Sequence, residues 1–332
     1  MNPFSPIPAA LSRRGLIALA LAAAGLGAQA QGDKPIRLLV GFPPGGAADS
    51  VARVLADKLP AVLKQPVVVE SRPGVGGRLA AQAVKAAAPD GLTYMVAPNA
   101  TFVFQHLTYP VEVLGYDMNK DFTSVARINS YPMAMVVNAS SGIKSAKDYV
   151  AWRKTPAGQP TYGTAGQGGD THFNGLQLGK LAGLEMAVVP YRGNGPLVTD
   201  LVGGQILAGN MVAGDALQHV KSGRLNYVGV FSKKRSPLVP DVPTMAEQGF
   251  DTGGDDGWMG MWAPAKLAPA ELERMQRALQ FVLNLPEVKD IMSSKLLQVA
   301  DYRPGTEADK QLQAELAHWG PVIKASGFKP AP

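Results

Sequence analysis

The residues best placed to do chemistry are glycines. Gly41-Phe42-Pro43-Pro44-Gly45-Gly46, Gly74-Val75-Gly76-Gly77 and Gly163-Thr164-Ala165-Gly166-Gln167-Gly168-Gly169 each follow an apolar run and precede a helical pattern. The first N–H groups of a helix lack intrahelical partners and carry about half a positive charge. Glycine lets a ligand come close to that backbone. Such a loop binds an anion without Lys or Arg. Any one of the loops is equally explained as a tight turn. Three of them at strand C-terminal ends, where open α/β sheets take ligands, favour binding.

The titratable residues beside these loops have two readings each. Asp170 stands where an N-cap would stabilise a helix by about 0.5–2 kcal/mol, and it equally suits a ligand's hydroxyl or amine. His172 suits a capping or packing role, with acid–base work as the alternative. Asp215, in Ala213-Gly214-Asp215, precedes a helix and is a cap or a ligand contact. Enzyme motifs are missing: no G-x-S-x-G elbow occurs, and the third glycine loop lacks the Lys-Ser/Thr of a phosphate-binding P-loop. Trp258 and Trp262 alternate onto one strand face and read as core.

The elements that position these loops alternate. Ile36–Val40 is an unbroken apolar run, as a buried parallel strand requires. Val51, Leu55, Leu59 and Val62 recur at helical spacing, and Pro60 predicts a late kink or restart. Strands at 67–70 and 93–97 enclose a helix through Ala80 and Ala83, giving a doubly wound α/β layer. A second α/β unit spans about 135–230, with strands near 133–137, 161–163, 186–190, 206–211 and 225–231. Helices start at Ser145 and near Thr171, Gly195 and Ala216. From Pro243 onward the chain reads as helices, at 269–285 and 305–326, with one interrupting strand at 257–263.

The chain has 332 residues, enough for about two domains. It has no Cys, which excludes disulfides, cysteine zinc sites and a lipidated cysteine anchor. Arg13-Arg14, an apolar stretch of small residues and Ala28-Gln29-Ala30 form a cleavable export signal over residues 1–30. Its removal lowers the formal charge from +6 to +4, because Arg13 and Arg14 are its only charged residues. No basic run with interleaved aromatics follows, so no nucleic-acid partner is expected. No metal or other cofactor is expected either.

Several motifs together resemble the Bug family of extracytoplasmic solute receptors, which serve tripartite tricarboxylate transporters. They are Gly41-Phe42-Pro43-Pro44-Gly45-Gly46-Ala47-Ala48-Asp49, Val67-Val68-Val69-Glu70-Ser71-Arg72-Pro73-Gly74-Val75-Gly76-Gly77 and Tyr162-Gly163-Thr164-Ala165-Gly166-Gln167-Gly168. Val189-Pro190-Tyr191-Arg192-Gly193, Thr199-Asp200-Leu201-Val202-Gly203-Gly204-Gln205 and Pro240-Asp241-Val242-Pro243-Thr244 follow in order.

The resemblance implies a two-domain α/β fold of the periplasmic-binding-protein type II, or Venus flytrap, kind, with the ligand cleft between the domains. Residues 31–134 and 231–332 would make a discontinuous first domain and 135–230 the second. It implies that a carboxylate is held by backbone groups and bridging waters in residues 42–49 and 164–170. The candidate contacts are Phe42, Pro43, Pro44, Gly45, Gly46, Ala47 and Asp49, facing Thr164, Ala165, Gly166, Gln167, Gly168, Gly169 and Asp170, with Asn99 lining the same cleft and Asp215 nearby. The expected protein is a periplasmic monomer that captures a small organic acid and passes it to membrane permease components. A sensor docking on a signalling receptor, and an exported enzyme using Asp170 and His172, are the alternatives. One departure stands out. The family carries small hydroxyl residues where this chain has Gly169-Asp170-Thr171, and a carboxylate there repels a second ligand carboxylate.

Overall fold

The computed structural model describes residues 34–330. The expected signal, residues 1–30, lies outside the described residues. β1 (Ile36–Val40) leads into α1 (Ala47–Leu63), which buries Val51, Ala52, Leu55 and Leu59 on one face. The kink or restart expected at Pro60 does not end the helix. It continues to Leu63, and Lys64 closes it in the left-handed conformation. Proline removes one backbone donor, and so one i→i−4 bond, but the Pro60 carbonyl still accepts the Lys64 N–H at 2.9 Å and only three helical residues follow it.

β2 (Val67–Ser71) and a one-turn 3₁₀ segment (Val75–Gly77) precede α2 (Arg78–Lys85). β3 (Thr93–Pro98), α3 (Ala100–Thr108), α4 (Val111–Leu114) and β4 (Phe122–Tyr131) follow. Pro132 separates β4 from β5 (Met133–Asn138). Then come α5 (Ala146–Arg153), β6 (Thr161–Thr164), α6 (Asp170–Ala182), β7 (Ala187–Pro190), α7 (Asn194–Val202), β8 (Ala208–Val212), α8 (Ala213–Lys221) and β9 (Leu225–Val230). β10 (Gly257–Pro264), α9 (Pro269–Asn284), α10 (Pro286–Asp290), a π-helical turn (Ile291–Lys295), β11 (Val299–Pro304) and α11 (Gly305–Ala325) complete the order.

The strands form two sheets. One has the order β11-β4-β10-β3-β1-β2, and the other β7-β6-β8-β5-β9. β1 runs parallel to β2 and β3, while β10 is antiparallel to both its neighbours, β3 and β4. All eight residues of β10 are buried because strands flank it on both sides. Trp258 and Trp262 share a face of β10, as alternation predicts, with ring centroids 5.9 Å apart and the Phe102 ring 4.4 Å from Trp262. β11 is a second strand in the C-terminal region, where the sequence indicated one. It is an edge strand pairing only with β4, so its residues stay partly solvated and show no apolar run.

Candidate functional site

A cavity of about 590 Å³ lies between the two sheets. Five helices open onto it: α1, α3, α6, α7 and α8. Their first turns or preceding loops line the cavity at Ala47, Ala100, Asp170, Asn194 and Asp215. None of the five has a side-chain cap on its N-terminus. Lack of a side-chain cap is not special to these helices, since α9 and α11 away from the cavity have none either, while α5 is capped by Ser145 accepting the Asp148 N–H. Uncapped first-turn N–H groups from both sheets therefore face one space, an arrangement suited to a small anion.

The loop between β1 and α1 is shaped by its neighbours. A β-carbon on Gly41 would collide with the Cα of Gly77, so the first two glycine loops pack backbone against backbone. Thr101 Oγ1 donates to the Gly76 carbonyl at 3.0 Å and fixes the second loop against α3. Asp49 is buried and braces the first loop from behind. Its Oδ2 accepts the Gly45 N–H at 2.9 Å and Arg53 Nε at 2.7 Å. Burial raises the Asp49 carboxyl, but Arg53, the Gly45 N–H and Ser71 outweigh it and hold the group below the usual carboxylate range.

On the facing side, His172 Nδ1 accepts the Gly168 N–H at 3.0 Å. The ring is buried and lies 5.0 Å from both Phe173 and Phe328, and burial pushes its imidazole down to about 4. His172 thus shapes the third glycine loop from within. Asp170 is the first residue of α6; Gly169 occupies the N-cap position expected for Asp170. An Asp170 oxygen accepts the adjacent Thr171 N–H at 2.7 Å. Burial raises the Asp170 carboxyl to about 6 against the pull of that N–H, with Glu315 adding to the rise. Asp215 lies in the first turn of α8, and its Oδ2 accepts Asn194 Nδ2 at 2.5 Å. Burial raises it, too, to about 6, opposed by Asn194.

The cavity wall contains Phe42, Pro43, Pro44, Gly45, Gly46, Ala47, Ala165, Gly166, Gln167, Gly169, Asp170 and Asp215. Four of the residues expected there stand behind it. Asp49 braces the first loop. Thr164 is fully buried, with its hydroxyl on the Gly166 carbonyl. Gly168 backs onto the Phe328 ring. Asn99, expected to line the cleft, turns inward, where its Nδ2 donates to Glu315 Oε2 at 2.6 Å. Glu315 on α11 also accepts Trp258 Nε1 at 2.6 Å and Gln311 Nε2 at 3.0 Å. This buried acceptor captures Asn99 and leaves Pro98, Ala100 and Thr101 to face the cavity. Sequence reasoning missed Asn194, Tyr131, His219 and Lys295, which also line it. For Asn194 a signal existed: Gly193-Asn194-Gly195 follows β7 as another glycine turn before a helix.

Two α/β sheets with helix N-termini converging on the cavity between them define a periplasmic-type solute-binding protein. The model of the tripartite tricarboxylate transporter family receptor matches residues 51–328, and the chain belongs to that family. Protein BugT of Bordetella pertussis is 30% identical over 324 residues, covering 95% of this chain and 97% of the relative. The solved periplasmic binding protein BugD superposes with a TM-score of 0.82 at 26% identity, covering 89% of this chain and 98% of that one. MatC from Rhodopseudomonas palustris, solved with bound malate, gives 0.79 at 27% identity, covering 87% and 99%.

Proposed function

We propose that this receptor works in the periplasm, captures a small organic carboxylate in the cavity between its sheets and delivers it to the membrane permease of its transporter. The observation that carries the reading is the convergence of five uncapped helix N-termini, from both sheets, on one cavity of about 590 Å³. MatC, similar over nearly its whole length, holds malate, which supports a carboxylate here. Residues 31–134 with 231–332 and residues 135–230 act as two lobes of a monomer. A ligand that touches both lobes only when they close selects the closed state, and that state is what the permease reads. The glycine loops donate N–H groups to the carboxylate, and bridging waters complete its shell.

Calorimetry and thermal unfolding against a panel of mono-, di- and tricarboxylates test the assignment. A true ligand at about 100 times its Kd stabilises the protein by about 2.7 kcal/mol. If no organic acid raises the melting temperature or gives a binding isotherm, the carboxylate assignment fails.

A further inference from the structure

We infer that the ligand is a zwitterion, a carboxylate that also carries an ammonium group, and that Asp170 and Asp215 together receive the ammonium. The inference rests on the carboxylate reading above and names the substrate class.

The charges lining the cavity are asymmetric. Among the described residues, its acidic lining groups are Asp170 and Asp215, and its one lining Lys or Arg is Lys295, which is exposed. His219 also lines it, and burial and Arg224 lower its imidazole, which disfavours its charged form. Asp215 Oδ2 accepts from Asn194 Nδ2, and among the described residues no protein group donates to its Oδ1. Tyr131, Asp170 and Asp215 line the same cavity. The two aspartates therefore face a common space. A dicarboxylate placed there would add like charge to two partly desolvated acids.

The helix N-termini divide the cleft in the same way. α6 and α8 carry Asp170 and Asp215 in their own first turns and so already hold an anion. α7 has no acidic residue in its first turn. The acid of α1, Asp49, is buried behind the loop and paired with Arg53. Asn194, the first residue of α7, already donates to Asp215, so the free anion site is on the α1 side and the cation site is at α6 and α8. A single ligand with a charge of each sign satisfies both.

The test uses the mature wild-type chain and matched probes. These are the ω-amino acids and α-amino acids of two to six carbons, with the hydroxy acids and dicarboxylates of equal length. Titration calorimetry at pH 6, in buffers of different ionisation enthalpy, counts protons. An ammonium ligand favours the ionised aspartates and releases protons; a dicarboxylate takes them up. The expected result is an amino acid that binds at least tenfold tighter than its hydroxy acid and dicarboxylate counterparts and releases protons. Asp170→Asn and Asp215→Asn should each weaken that amino acid at least tenfold and leave a dicarboxylate unweakened. A dicarboxylate or hydroxy acid that binds as tightly as its amino counterpart, or proton uptake with the best ligand, overturns the zwitterion and leaves the carboxylate reading standing. Binding by none of the probes or of the wider carboxylate panel overturns both. The proton count needs no variant, so a variant that fails to fold does not remove the test.

Discussion

Gly214 and Leu296 meet across the cleft: a β-carbon on Gly214 would collide with the carbonyl oxygen of Leu296. Gly214 opens α8 beside the second sheet, and Leu296 follows the π-helical turn beside the first. Only a residue without a side chain lets the two backbones touch. Gly214→Ala should therefore hold the lobes apart by a wedge worth about 1–3 kcal/mol. The expected outcome is a loss of ligand affinity of about ten- to a hundredfold with helix content unchanged. Calorimetry beside circular dichroism checks it; unchanged affinity would mean that this contact plays no part in closure.

A second close approach lies beside the first sheet, where Gly41 packs on Gly77. Gly41→Ala should destabilise the unliganded protein by about 1–3 kcal/mol, because neither backbone can move aside without distorting a cavity loop. Urea unfolding measures the loss. A midpoint equal to that of wild type would show that the loops relax freely.

Asp49 gives an acid-side dependence. Its carboxyl titrates below its unfolded value, so the unfolded chain binds more protons in that window and stability falls as pH drops through it. Above pH ~4 the contribution is fully present. Asp49→Asn should cost about 1–3 kcal/mol at pH 7 and flatten the loss of stability below pH ~4. Denaturation midpoints at pH 3 and pH 7 for both proteins decide the matter.

Asp170 and Asp215 act in the opposite sense. Each titrates at about 6 in the folded protein, against ~3.9 when unfolded. The folded state binds more protons between those values, so ligand-free stability falls as pH rises through them. Asp170→Asn and Asp215→Asn should each be more stable than wild type at pH 7 by about 1–2 kcal/mol, with the gain vanishing near pH 4. Unfolding of the apo proteins across pH 4–7.5 provides the comparison. Variants less stable than wild type at pH 7 would contradict the burial argument.

Glu315 is the hub of the network that captures Asn99. Glu315→Ala leaves the Trp258 indole N–H and the Asn99 amide without their acceptor, a loss of about 2–4 kcal/mol. Because neither Glu315 nor Asn99 lines the cavity, affinity for the bound acid should change less than threefold well below the melting temperature. A large affinity loss would return Asn99 to the ligand.

The chain's local order was legible from residue types alone. Apolar period and glycine placement put β1, α1, β6 and α6 close to where they stand, because strand burial, helical spacing and tight turns are local consequences of side-chain shape. The motifs also located the glycine loops at 41–46 and 163–169 that face the cavity and singled out Asp170 and Asp215. Which neighbours point inward was decided by contacts between distant segments. Asn99 and Ala100 are adjacent, yet a buried carboxylate more than two hundred residues away draws the first from the wall and leaves the second on it. Asp49 belongs to the same motif as Phe42 but serves Arg53 and the loop behind it. Asn194 reaches Asp215 only once β7 and β8 have joined one sheet, and Gly214 reaches Leu296 only once the two sheets have been set face to face. Sequence patterning specifies elements because it acts over a few residues. The assignment of each polar side chain to ligand or to structure depends on which partner the tertiary fold brings within hydrogen-bond distance.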